Sequence, residues 1–593
     1  MKMAANTYGR MLYLRRKQLG FSAAEICSGI CSLSTYSHYE NDEIRPDLFT
    51  MSVFPERMGL DTSHINFVCS RAELLISAIR SEIQKKILAG NFHEADSLIE
   101  QYKAVRINHG SRLHDQYVLL QRGIIAEIQG KYHEAAALFL EGMSLTNVSL
   151  SSLRSRYLLS RQEFELIYRY SRIQLNSSSE FQVIYNYLSY MDDSDLLKKK
   201  YFAVCAYHIA ELSLNERDTC SAFSYVLSGI SYQQKIYQII NIDRGLSLKK
   251  KIINFYNRCL NDEEDNILEY SLIVKKIFER YSVSFSSDII KLSKPDLIRY
   301  QRNSSGITQE KMSEDICDVT TLRRYENGTL DPRENILNKL MNKIGVNCRD
   351  LSSDRTALMI HDVTIIDQIE SSIQTRDYEK LDRILEPELC QNSNTDSVQF
   401  SGNLKLIAKY GDSADDKTVF HFTRLIKLSI PDFDGLNIPE SAILNETEME
   451  LLNGLAISYQ YIGRIDSAGR IWKQLCDYMD KCFVVNVGKI KYRILVNYSN
   501  VLGLSQKYEE CISVCIKGIR MLCSDVTQNV IYNFVFNIGW CLCYKNMNSE
   551  NRVKYKKGIR YIDAAINLCR YFDESKSSLD TMITTRKMLA DKL

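Results

Sequence analysis

The residues with the most pointed chemistry stand in DVTTLRRYENG, Asp318–Gly328. Asp318 suits a helix cap and Gly328 a helix stop. On the helix between them Leu322 and Tyr325 share an inner face, which leaves Thr320, Thr321, Arg323 and Arg324 facing outward near the start. An arginine so placed can make paired hydrogen bonds to a guanine edge, and a threonine can bond a base or touch a thymine methyl. A shorter helix precedes it, opened by Thr308 and carrying apolar Met312 and Ile316. Two short helices, the second with a polar tip, follow the plan that sets a helix into the major groove of a duplex.

A second group of polar residues lies far downstream. Asn497 and Asn500 are three apart, Asn533 and Asn537 four apart, and Asn453 occupies a comparable place earlier. At these spacings each pair shares a helix face. An asparagine amide donates and accepts, so it can clamp a peptide bond whatever side chain follows. The same spacing also suits asparagines that simply face solvent. Catalytic patterns are missing: there is no HExxH, no phosphate-binding glycine loop and no GxSxG. Cys541 with Cys543, and Cys27 with Cys31, lack nearby histidines and read as packing residues. Glu163 with Glu165 and Asp415 with Asp416 read as solvated faces. The expectation is therefore no enzyme, no cofactor and no metal.

The elements that must position these groups occur twice. A shift of 286 residues lays Gly20 on Gly306, Ile30-Cys31 on Ile316-Cys317, and Tyr39-Glu40-Asn41 on Tyr325-Glu326-Asn327. Arg16 falls on Arg302, Pro46 on Pro332 and Gly59 on Gly345. The predicted domains are a small helical domain at 1–66, helical repeats at 67–285, a second small domain at 292–352 and further repeats at 353–593. In the first copy Ala23 stands where the second has Gln309, and Ser34, Thr35, Ser37 and His38 stand in the outward set. Ser22 and Glu25 still make a capping box, and Arg10, Arg15, Arg16 and Lys17 in the first helix are cations that can hold phosphates. The first copy either binds DNA through these or keeps the fold without the binding.

Each small domain precedes a long stretch of paired-helix periodicity. In GIIAEIQGKYHEAAALFLEGM, Gly123, Tyr132 and Ala135 follow the tetratricopeptide pattern, small residues letting two helices approach and an aromatic filling the gap between pairs. The template recurs at Gly90–Ala95, Ala456–Ala468, Ser499–Cys511 and Tyr561–Ala564. Composition agrees with an all-α chain, since 7 prolines and 25 glycines in 593 residues leave few breaks. The net charge of +2 excludes a chain-wide basic field, so any contact with nucleic acid must be a local patch. The 17 cysteines, with neither a secretion signal nor a long apolar run, point to a reducing cytoplasm and no membrane.

GITQEKMSEDICDVTTLRRYENG resembles the DNA-binding domain of phage repressor-type (Cro/C1, XRE) regulators, with a turn one residue shorter than the commonest pattern. Followed by helical repeats, it is similar to the peptide-pheromone-responsive regulators of Gram-positive bacteria (Rgg/PlcR-like). That resemblance implies that Gln309 touches phosphate, that Thr320, Thr321, Arg323 and Arg324 face the groove, and that Asn453, Asn497, Asn500, Asn533 and Asn537 hold a short signalling peptide in quorum sensing. The expected partners are double-stranded DNA and that peptide, with a homodimer or an intrachain pseudo-dimer on a two-part operator. The alternative is a protein-interaction scaffold whose small domains do not bind DNA.

Overall fold

The computed structural model describes residues 8–255, 291–343 and 395–590, apart from connections such as 61–66, 106–111, 155–158, 482–489 and 524–529 and a few single positions, together with scattered residues between 367 and 394. Gly345, the 352/353 boundary and most of the joint between the two copies lie outside the described residues. Apart from one short ladder, the described chain is helical.

The first small domain comprises α1 (Tyr8–Leu19), α2 (Ala23–Cys27), α3 (Leu33–Glu40) and α4 (Leu48–Arg57). After β1 (Phe67–Cys69) come α5 (Arg71–Leu88), α6 (Phe92–Val105), α7 (Arg112–Ile128), α8 (Tyr132–Leu145), α9 (Arg161–Gln174), α10 (Ser178–Ser189), α11 (Leu196–Asn215), α12 (Thr219–Lys235) and α13 (Ile242–Phe255). β2 (Lys291–Ser293) runs directly into the second small domain, α14 (Lys294–Ser304), α15 (Gln309–Ser313), α16 (Val319–Glu326) and α17 (Glu334–Lys343). The second array holds α18 (Thr395–Tyr410), α19 (Asp416–Ile426), α20 (Glu446–Tyr461), α21 (Ile465–Lys481), α22 (Ile490–Leu504), α23 (Tyr508–Cys523), α24 (Ile531–Asn546), α25 (Arg552–Tyr571) and α26 (Lys576–Ala590).

The four helices of the two small domains begin at positions related by the same 286-residue shift. Each domain closes its own core, Met11, Leu12, Ile26, Tyr36 and Phe54 in the first and Leu297, Met312, Leu322, Leu340 and Met341 in the second. Ser22 and Glu25 form the expected capping box, and the Thr308 hydroxyl accepts from the Lys311 amide.

In the arrays, successive helices pack as hairpins whose turns carry a left-handed residue: Gly90, Gly130, Arg217, Gly463 and Gln506. Gly123 is required by a close approach, because a Cβ there would overlap the Phe139 ring of the paired helix. The expectation for Tyr132 is corrected: it is 57% exposed. It opens α8 beside the hairpin turn, where its ring lies outside the gap that Phe139 fills. Tyr508 does pack between pairs, edge-on to Trp540 with ring centroids 6.1 Å apart. The two arrays share one apolar cluster, in which Tyr207, Val226 and Leu246 join Phe422, Trp472 and Leu568, and Tyr237 meets Phe572 at 5.7 Å. β1 and β2 pair in parallel, Phe67 opposite Lys291 and Cys69 opposite Ser293.

The first domain is docked on its own array. Phe49 and Val53 of α4 belong to the array core, where Phe49 meets His114 edge-on at 5.0 Å. Arg57 and Glu163 are both fully buried and joined two-fold, Arg57 Nε donating to Oε2 at 3.1 Å and Nη2 to Oε1. Arg57 Nη1 also donates to the carbonyls of Ile26 and Ser28 at 2.7 Å each. Beside it Arg161 Nε donates to Glu56 at 2.8 Å. Burial alone would raise the Glu163 carboxyl, but the Arg57 charge and the bonds from Arg57 and Ser160 outweigh it and hold the group below its ordinary value. Glu165, pulled down to about 2 against its burial, is held by Lys200 and Arg169. The solvated-face reading of Glu163 and Glu165 is thereby corrected.

Candidate nucleic-acid interface and an asparagine-lined cavity

α16 is short, and its inner face is fixed by buried Leu322, Tyr325 and Glu326. Thr320, Arg323 and Arg324 are exposed on the opposite side and Thr321 is half-buried. Lys311, on α15, is exposed near them. Glu326 ties three helices together: it accepts from Arg302 Nε at 2.6 Å, Arg302 Nη2 at 3.1 Å and Gln309 Nε2 at 2.7 Å. Gln309 Oε1 lies 3.4 Å from Arg323 Nε. The amide expected on a phosphate is thus engaged within the domain, where it steadies the base of α16. The capping expectation for Asp318 is met in position only, since its side chain makes no cap bond.

In the first domain two of the expected phosphate contacts are corrected. Arg16 is buried and joined to Glu40, Nε to Oε1 at 2.6 Å and Nη2 to Oε2 at 2.7 Å, the same pair that Arg302 and Glu326 make. Arg15 donates to the Met58 carbonyl at 3.1 Å; burial lowers its pKa, partly offset by Asp195 and Asp192. Ser34 and Ser37 are exposed on α3. Thr35 meets Ser32 at the cap, and His38 Nδ1 lies 2.5 Å from Glu43. No lysine or arginine stands on α3 to match Arg323 and Arg324.

The asparagines gather at a cavity of about 410 Å³ in the second array, a volume typical of ligand sites. Asn453, Asn497, Asn500 and Asn533 line it; Asn537 does not. Asn453 is buried, its Oδ1 accepting from Trp472 Nε1 at 2.9 Å and from Asn497 Nδ2 at 3.1 Å. Asn537 is also buried, its Nδ2 donating to Asn500 Oδ1 at 2.7 Å and Ser499 Oγ at 2.9 Å. Asn537 is corrected from clamp to support: its amide is spent on orienting a neighbour. Asn497 Oδ1, Asn500 Nδ2 and the Asn533 amide have no hydrogen-bond partner among the described residues. Sequence reasoning missed Glu450 and Arg493, which line the same cavity and pair at 2.7 Å. Their spacing carried the signal, since Glu450 precedes Asn453 by three and Arg493 precedes Asn497 by four.

Residues 298–351 match the family described as Helix-turn-helix, across α14 to α17. This segment is a helix-turn-helix domain. Its likeness to phage repressor-type DNA-binding domains stands on that match. Among solved structures, the chain is similar to Bacillus thuringiensis PlcR in complex with the peptide PapR7 and DNA, at 16% identity over 50% of this chain and 98% of that one, with a TM-score of 0.30. It is similar to the apo form of the same protein at 14% identity over 48% and 98%, with a TM-score of 0.30. Streptococcus dysgalactiae Rgg2, an SHP pheromone receptor, is similar at 12% identity over 51% and 100%, with a TM-score of 0.24. No curated protein matches the chain. Among the described residues no helix is long and apolar enough to cross a membrane.

Proposed function

We propose that this chain is a cytoplasmic DNA-binding regulator, without catalytic activity, whose second small domain reads a duplex and whose second array takes a short peptide. The observation that carries the reading is the exposed pair Arg323 and Arg324, in the last turn of the second short helix of a helix-turn-helix domain whose first turn exposes Thr320. Guanidiniums there can reach guanine edges and phosphates together. The cavity supports the peptide half: Asn497, Asn500 and Asn533 offer amide groups suited to an extended backbone, and the Glu450–Arg493 pair adds charge at one wall. Peptide occupancy would favour one curvature of the array, and the DNA-binding state would follow the population so selected.

Duplexes selected from a random pool provide the probe. Replacing Arg323 and Arg324 by alanine is expected to lower affinity by about tenfold or more at fixed salt. Unchanged affinity would sink the DNA reading and favour a protein-interaction scaffold.

A further inference from the structure

We infer that the first small domain is a fixed cap on the helix ends of the first helical array, and that the second is the chain's single DNA-reading head. The DNA part of this inference rests on the function proposed above. It comes from comparing the two domains at the 286-residue shift, on the face that docks and on the face that would read.

On the docking face, Phe49 and Val53 are buried in the array core, whereas Asn335 and Lys339 at the matching positions are exposed. Arg57 is locked to Glu163, whereas its counterpart Lys343 turns back to the Glu314 carbonyl of its own domain at 2.6 Å. The turn between the two short helices makes the same distinction. Gly29 (φ +73°) and Asp315 (φ +63°) are both left-handed. A Cβ at Gly29 would overlap the Thr146 carbonyl at the end of α8, so that turn presses backbone against backbone. Asp315 is exposed and has room for a side chain.

On the reading face the substitutions run the other way. Arg323 and Arg324 fall on Ser37 and His38, and Lys311 falls on Glu25, a reversal of charge. Duplex binding depends on cations that displace counterions from phosphates. On α2 and α3 the first domain lacks them where α15 and α16 of the second have them, and on its docking face it carries apolar and buried charged groups where the second is polar and exposed. The first domain covers helix ends of successive hairpins, with Phe49 on His114 where α7 begins, Gly29 against Thr146 where α8 ends and Arg57 on Glu163 where α9 begins. One chain then supplies one head, and a two-part operator takes two chains.

Two measurements on the full chain test this. Binding to a mixed-sequence duplex at low salt is measured for Ser34→Glu with Ser37→Glu, and for Arg323→Ala with Arg324→Ala. The first pair is expected to leave affinity within about twofold and the salt dependence unchanged; the second is expected to lose about tenfold or more, with a shallower salt dependence. A loss from the α3 pair equal to that from the α16 pair overturns the single-head inference. Absence of duplex binding by the parent chain overturns the proposed function instead, and the cap is then judged alone. Gly29→Asp, which copies the second domain's residue, is expected to speed amide hydrogen exchange in α2, α4 and α9, while Asp315→Gly leaves exchange there unchanged. Unaltered exchange in Gly29→Asp overturns the cap.

Discussion

The charged side chains of this chain divide into those that bind each other and those left for a partner. Arg16–Glu40 and Arg302–Glu326 are the same pair made twice, buried in the first small domain and part-buried in the second. Removing Glu326 as alanine strands Arg302 at low exposure, at a cost of about 3–5 kcal/mol, which amide hydrogen exchange in α14 to α16 reads directly. Glu163 sets a pH dependence. Its folded pKa lies below the ordinary carboxylate value of 4.5, so its stabilisation is complete above that value and is lost as pH falls through the lowered one. Acidification is expected to loosen the first domain from α9, seen as faster exchange in α4, and Glu163→Gln should flatten that acid limb while lowering stability at neutral pH. Arginines on a polar helix face look alike in a sequence, whether they point to solvent or to a carboxylate contributed by a later helix. The repetition held the missing clue, since Arg16 and Glu40 recur together as Arg302 and Glu326.

At the level of helices, small residues were the most legible feature. Gly123 and Ala135 read correctly as close-approach positions, because glycine weakens a helix interior and its presence there signals a neighbour that must come near. Gly123→Leu is expected to force Phe139 aside and cost about 1–3 kcal/mol or more, measured as a fall in Tm. The short helices of the helix-turn-helix domain and the inward turn of Leu322 and Tyr325 were legible from caps and spacing. The asparagine set was legible only in part. Spacing puts Asn497 and Asn500 on one face, but which amides face a cavity is decided by partners on other helices, Trp472 for Asn453 and Ser499 for Asn537. Replacing Asn500 by alanine should weaken peptide binding in titration calorimetry, while Asn537→Ala should lower stability as well, because it leaves Ser499 and Asn500 without their donor.

Across the whole molecule the two arrays behave as one body, since residues 203–252 and 422–589 contribute to one apolar cluster. Both tryptophans, Trp472 and Trp540, lie in the second array, whereas far-ultraviolet dichroism sees every helix. Denaturation followed by tryptophan fluorescence and by dichroism is therefore expected to give coincident transitions. Separate transitions would show that the Tyr237–Phe572 contact does not couple the arrays. This union was not legible in the sequence. The repetition that marks the small domains fades downstream, and end-to-end stacking depends on apolar faces that resemble those buried within each array.

The parallel ladder between β1 and β2 bears on how a message can travel. Three residues from each strand form it, α5 packs on β2, and β2 passes into α14 with no intervening linker. The second small domain is thus joined at the foot of the first array through a three-residue ladder. A rotation of α5 that carried β2 with it would turn α14 as well, because β2 and α14 are consecutive along the backbone.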